Sequence, residues 1–285
     1  MNYRTLLIRH LVSYRRSELL INECGIYRYR GRAVPCEHVL PARAVWRNVL
    51  PAALESSQTF LAKNPKKRHR YFHHLNSSQA FAFNLFFPYF DGGPEAASAL
   101  LRALGQGGTL RAWEPEAVLD PEEKTNLDAT WLTSDGIRTF CEVKLSESDL
   151  GRASDDKHHR RKLRKTYRQV LAGHIRAELL EPSQFFRSYQ FLRNVWYLAQ
   201  AENGRLLFLV PRANTSIWGA LSTVIPLVHQ PLRSRISLVP IESVLAGLQA
   251  DSTLQPDLRA HAIDLERKYV PAGGDGNDTR SGGQL

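Results

Sequence analysis

Two carboxylates and one amine carry the chemistry most open to inference in this chain. Asp128 stands in Thr125-Asn-Leu-Asp-Ala-Thr-Trp-Leu132, and Glu142 and Lys144 stand in Ile137-Arg-Thr-Phe-Cys-Glu-Val-Lys-Leu145. Carboxylate oxygens, together with water and a substrate phosphate, suit Mg²⁺, with Mn²⁺ as a substitute. An adjacent lysine can orient or deprotonate a water and stabilise a pentacovalent phosphate. Together these groups could hydrolyse a phosphodiester by in-line attack. A bare Glu-x-Lys carries no such meaning and reads as a solvated strand face. Glu122-Glu123-Lys124 and Glu266-Arg267-Lys268 share the pattern but lie on no alternating strand.

What sets the 142–144 triplet apart is the hairpin expected to position it. Both runs alternate, and Asp135-Gly136 between them is a turn signal. A loop from Ser134 to Gly136, with Gly136 in the left-handed position, sets Thr133 against Ile137 and carries Asp128 opposite Glu142. Side chains repeat every second residue, so Lys144 shares the face of Glu142. The other face then holds Leu127, Ala129, Trp131, Cys141 and Val143, apolar enough to pack on a helix. A slip of one residue destroys this segregation. Like carboxylates facing each other repel unless something compensates them, and a divalent cation would do so.

Helical patches are expected at 3–20 and 42–62, separated by Gly25, Gly31 and Pro35. A capped apolar helix is expected to start at Asn76-Ser77-Ser78-Gln79 and stop at Pro88, and a short one to run from Pro94 to Leu104. A long helix is expected from Ser183 to Ala201, strands at 205–210 and 235–239, and helices at 215–224 and 241–250. This order implies an α/β fold with a mixed β-sheet core flanked by helices. It gives a single domain over 1–270, with a basic N-terminal helical elaboration (1–70) and a core (71–250). The Gly- and Ser-rich tail, 271–285, reads as disordered.

Asp128 followed by Glu142-Val143-Lys144 on the next strand resembles the signature of the PD-(D/E)XK, restriction-endonuclease-like nucleases. Ser77-Ser78-Gln79-Ala80-Phe81-Ala82-Phe83-Asn84-Leu85-Phe86, Glu142-Val143-Lys144-Leu145-Ser146-Glu147 and Tyr189-Gln190-Phe191-Leu192-Arg193-Asn194 further resemble an uncharacterised, mostly bacterial branch. The resemblance implies an αβββαβ core, Mg²⁺ dependence and endonucleolytic cleavage of DNA, with Asp128 and Glu142 as metal ligands and Lys144 serving the water. It also implies, by analogy, a homodimer. Many such enzymes add an acidic residue from the first core helix, which here offers only Gln79 and Asn84. Glu114, in Trp113-Glu114-Pro115, is the candidate substitute.

The helix expected at 183–201 carries a polar stripe, Arg187, Gln190 and Asn194. It points either to solvent or into a cleft, where Gln190 would reach the phosphate as a fourth catalytic residue. The 285-residue chain holds 38 Lys and Arg against 28 Asp and Glu, a formal charge of +10, which favours a polyanionic partner. Lys157, Arg160, Arg161, Lys162, Arg164, Lys165 and Arg168 form the densest basic segment, either a solvated helix face or a set of contacts to the DNA backbone. Lys66-Lys67-Arg68-His69-Arg70 is a second basic cluster, and His158 and His159 read as exposed polar residues rather than ligands.

Three scattered cysteines, Cys24, Cys36 and Cys141, imply ordinary thiols in a reducing, cytoplasmic setting, not a disulfide framework or zinc site. No stretch is long and apolar enough to suggest a membrane span. The competing readings are a nucleic-acid-binding protein that keeps a nuclease-like fold without catalysis, and a structural protein whose basic face meets an acidic partner.

Overall fold

The computed structural model describes residues 2–29, 31–120, 123 and 126–271. The chain opens with α1 (Tyr3–Ser17), a hairpin of β1 (Gly25–Tyr29) and β2 (Arg32–Cys36), a 3₁₀ turn (Ala42–Asn48) and α2 (Pro51–Lys63). Then come α3 (Ser78–Phe90), α4 (Pro94–Ala103) and three strands, β3 (Leu110–Ala117), β4 (Leu127–Thr133) and β5 (Arg138–Val143). After these follow α5 (Lys157–Lys162), α6 (Arg168–Leu171), α7 (Pro182–Arg187), α8 (Tyr189–Gln200) and β6 (Gly204–Val210). The described chain ends through α9 (Thr215–Val224), β7 (Ile236–Pro240), α10 (Ile241–Ala250) and α11 (Pro256–Tyr269).

Among the described residues β3 to β7 form one mixed sheet in sequence order. β3–β4 and β4–β5 are antiparallel, while β5–β6 and β6–β7 are parallel. Helices cover both faces. On one, Ala129, Trp131, Cys141, Val143, Leu207 and Leu209 pack against α1, α3, α4, α10 and α11. On the other, Phe140, Leu206 and Phe208 pack under the helices between β5 and β7. Leu127, at the start of β4, joins this second cluster rather than its strand-mates. β6 is apolar on both faces from Leu206 to Val210, as a central parallel strand must be when helices shield each side, while β5 interrupts that pattern with Glu142.

Several expected boundaries move, each for a local physical reason. The 42–62 patch is divided into the 3₁₀ turn and α2 by the extended pair Val49-Leu50. Residues 25–36, expected only to separate helices, pair as a hairpin in which Gly31 takes φ +78°. α3 begins where expected, with the Ser77 hydroxyl accepting from the Ala80 N–H, but runs through Pro88 to Phe90. Proline lacks the N–H that would reach the Asn84 carbonyl. The His261 Nε2–H from α11 donates to that oxygen instead, at 2.8 Å. The helix expected at 183–201 is interrupted at Ser188 (φ −118°), which separates α7 from α8. The sequence pattern announces neither the strand β3 nor the helix α11. Of the expected 271–285 tail, residues 272–285 lie outside the described residues. No helix among the described residues is long and apolar enough to cross a membrane.

α11 also carries a fully buried lysine. The Lys268 ammonium donates to the Asn48 carbonyl and, at 3.1 Å, to its side-chain oxygen, between the rings of Tyr14 and Tyr269. Burial lowers its pKa to about 7. Between about pH 7 and 10.5 the unfolded chain therefore binds more protons than the folded one, so this group makes stability rise with pH in that window. The slope is bounded by about 1.4 kcal/mol per pH unit. Urea denaturation of the native protein and of Lys268→Met from pH 7 to 9 should show the rise in the former and a flatter profile in the latter. Equal slopes would show that the ammonium is not desolvated.

Candidate active site

The hairpin fixes the first part of the site. Thr133 N–H donates to the Ile137 carbonyl at 3.0 Å, and Gly136 takes φ +79° between them. The register pairs Ala129 with Cys141 and Thr130 with Phe140, so the next step outward sets Asp128 opposite Glu142. Asp128 Oδ2 accepts from the Val143 N–H at 2.7 Å. Lys144 extends from the end of β5, and its Nζ lies 3.0 Å from Glu142 Oε1. Asp128, Glu142 and Lys144 are all buried.

α8 supplies the neutral donors. Asn194 Nδ2 donates to Glu142 Oε2 at 3.1 Å, Gln190 Nε2 donates to Glu142 Oε1, and Gln190 Oε1 accepts from Lys144 Nζ at 2.5 Å. Of the polar stripe, Gln190 and Asn194 thus turn inward onto the carboxylate, while Arg187, at the end of α7, is exposed. Gly151 passes so close that a Cβ there would collide with the Gln190 side chain.

A third acidic residue, which the sequence pattern does not reveal, joins them. On β3, Pro115 pairs with Ala129 and Ala117 with Leu127, so Glu116 falls opposite Asp128. Glu116, Asp128 and Glu142 therefore form a row across three adjacent strands. Glu116 is fully buried and adopts φ +50°, a left-handed backbone that costs a non-glycine residue about 1–3 kcal/mol. Its Oε2 accepts from Asn126 Nδ2 at 2.8 Å and lies 3.0 Å from His69 Nε2, while Oε1 is buried without a hydrogen-bond partner. Glu114, the candidate substitute, is exposed and pairs with Lys67 at 3.1 Å. Gln79 and Asn84 serve elsewhere. Gln79 accepts from the His69 N–H and donates to the Lys67 carbonyl, which shapes the loop that delivers His69. Asn84 binds the Leu50 N–H, the Asn48 carbonyl and the Tyr269 hydroxyl.

Burial, then the charges of Glu142 and Glu116, raise the Asp128 pKa well above the usual carboxylate range, against the pull of the Val143 N–H and Lys144. Burial alone would lower the Lys144 pKa, but Glu142, Glu147 and Asp128 outweigh it and raise the net value, so the amine keeps its proton. His69 follows the same logic: burial lowers it, and the bond to and charge of Glu116, with Glu142 beyond, raise it overall.

Among the described residues no group of three or more His, Cys, Asp or Glu forms a ready metal cage. A hard cation such as Mg²⁺ keeps several waters and takes one or two carboxylates, so Asp128 and Glu142 suffice in chemical type. The unpaired Glu116 oxygen and the raised Asp128 pKa mark a region short of positive charge. The thiols of Cys24, Cys36 and Cys141 are free, and His159 hydrogen-bonds Asp156.

The basic segment folds as α5, a π-turn (Leu163–Tyr167) and α6, anchored by buried Leu163 and Tyr167. Three of its seven cations are occupied within the protein. Arg160 pairs with Asp155 (2.5 and 3.0 Å), Lys162 with buried Glu123 (3.1 Å), and Arg168 donates to the Leu180 carbonyl (2.8 Å). Lys157, Arg161, Arg164 and Lys165 are exposed.

In comparison with known proteins, the family model described as Restriction Endonuclease associating with ARP matches residues 8–270. No curated protein and no solved structure matches the chain.

The raised Asp128 pKa has a signed consequence. The folded carboxyl holds its proton to higher pH than the unfolded one, so its contribution to stability falls as pH rises from about 4 through the folded pKa. Asp128→Asn removes this fall. The variant should gain stability relative to the native protein between pH 4.5 and 7.5 in metal-free urea titrations, by at most about 1.4 kcal/mol per pH unit. Parallel profiles would mean that the carboxyl is not electrostatically stressed.

Proposed function

We propose that this chain, which belongs to the family described as Restriction Endonuclease associating with ARP, is a Mg²⁺-dependent endonuclease of the PD-(D/E)XK type that hydrolyses DNA phosphodiester bonds. The observation that carries this reading is the row of buried carboxyls on β3, β4 and β5 with the Lys144 ammonium beside it. Burying three acidic groups against one lysine is costly as a purely structural device, because like charges in a poorly solvated site repel strongly. The arrangement makes sense where a cation and a phosphate complete it.

Asp128 and Glu142 would hold the metal, which when bound would polarise the phosphate and lower the pKa of an attacking water. Val143 N–H orients Asp128, while Gln190 and Asn194 fix both oxygens of Glu142. Neutral amides do this without neutralising the carboxylate, so its charge stays available to a cation. Glu142, Glu147 and Asp128 raise the Lys144 pKa against its burial, so its ammonium would stabilise charge developing on the phosphate. The exposed Lys157, Arg161, Arg164 and Lys165 would contact flanking phosphates and position the substrate without reading its sequence.

Supercoiled DNA incubated with purified protein and Mg²⁺ or Mn²⁺ should be cut. Asp128→Ala and Lys144→Met should each slow cutting by about 10²-fold or more. Cutting by Asp128→Ala at the native rate would remove the claim, and so would failure of the native protein to cut with either metal. Replacing Lys157, Arg161, Arg164 and Lys165 by Gln should flatten the salt dependence of DNA binding, by about 0.9 in log–log slope for each phosphate no longer neutralised. An unchanged slope would place the DNA elsewhere.

A further inference from the structure

Beside the carboxylate row, a pocket of about 400 Å³ opens between the β1–β2 hairpin, the loop carrying His69 and Tyr71, and the start of α3. It joins the candidate active site directly. His69, on its wall, pairs with Glu116, and Ser146, two residues beyond Lys144, is held by Asn76 Nδ2 at 2.8 Å.

Its walls are aromatic. The Tyr27 and Tyr71 ring centroids are 6.0 Å apart, and His74 lies 5.6 Å from the first and 4.9 Å from the second. Tyr71 is 40% exposed, and the Arg70 guanidinium sits 5.4 Å from its ring centroid. Tyr29 extends the aromatic surface outward, stacked on Tyr27 at an interplanar angle of 9°. Polar groups also line the pocket. Asn76, Ser77 and Ser78 contribute to its wall at the start of α3. Glu147 offers an acceptor and Arg4 a cation.

Flat π faces, a carboxylate and a cation, all next to the proposed phosphodiester-cleaving centre, match one ligand chemistry. The geometry points to a subsite for an unstacked nucleobase of the strand whose phosphate lies at Asp128 and Glu142. The inference rests on the proposed nuclease reading and adds its substrate class: nucleic acid with an unpaired or readily unpaired nucleotide next to the scissile phosphate. Bases stack on aromatic side chains with little sequence preference, and a paired base must first leave its duplex to reach such a wall.

Binding without metal separates this inference from catalysis. Asp128→Asn protein in EDTA would be titrated against a labelled single-stranded oligonucleotide and against the same sequence as a blunt duplex, with anisotropy as the readout. The single strand should bind more tightly. Adding Tyr71→Ala should weaken single-strand binding about tenfold and leave duplex binding unchanged, while Tyr71→Phe restores it. A single strand carrying aminopurine should show altered fluorescence on binding to the Tyr71 protein and not to Tyr71→Ala. Equal affinity for both nucleic acids, or an equal loss for both on Tyr71→Ala, would overturn the subsite. Should the native protein cut no DNA yet keep Tyr71-dependent preference for the single strand, the subsite stands and the hydrolytic reading falls.

Discussion

Three carboxyl groups lie side by side on adjacent strands, with one ammonium to balance them. Glu116, Asp128 and Glu142 are set there by the β3–β4–β5 registers, and no small backbone adjustment could separate them without moving every other side chain on those strands. The surrounding structure is arranged to make this tolerable. A backbone N–H serves Asp128, two amide side chains and Lys144 serve Glu142, and Asn126 and His69 serve Glu116. Most of these donors are neutral. They satisfy hydrogen-bonding demand while leaving net negative charge, which the proposed cation would balance and a self-sufficient salt-bridge network would not leave.

Distant segments are recruited to support the row. α8 delivers Gln190 and Asn194 because the break at Ser188 frees its first turn from the line of α7, and because Gly151 has no Cβ to block Gln190. The His69 loop is shaped from two sides. Gln79 grips it from α3, and Asn48 Nδ2 donates to the Phe72 and His74 carbonyls at 2.7 Å each. Asn48 in turn accepts from Lys268 and Asn84. The N-terminal region, far from Asp128 in sequence, is therefore structurally continuous with the site through one buried polar cluster.

How much of this was legible in the sequence depended on how local the determining contacts are. The β4–β5 hairpin is closed by a short turn, and its alternating pattern is enough to carry Asp128 opposite Glu142. Glu116 was not legible. Its strand contains Pro115, alternates poorly and pairs with β4 on the side away from the turn, so nothing near it in sequence announces its neighbour. Glu114 stands out for its surroundings, yet the residue two positions on is the one that reaches the row. Pro88 shows the same limit from the other direction. Proline is a sound stop signal for an isolated helix, and only the long-range donor His261 lets α3 continue. The basic segment was legible as a patch. Which of its charges are held within the protein depended on Asp155, Glu123 and the Leu180 carbonyl, partners fixed by the fold.

The protonation of Lys144 gives these features a common direction. In the same low-solvation setting where Lys268 loses much of its proton affinity, Lys144 retains its own because Glu142, Glu147 and Asp128 surround it. Two buried lysines thus differ in sign of shift for a single reason, the presence or absence of carboxylates. The Lys268 site is electrically sparse and holds the fold together through Asn48 and two tyrosine rings. The Lys144 site is crowded with negative charge, which keeps the ammonium in place and leaves an excess of carboxylates beside it, as the proposed cation and phosphate sites would need.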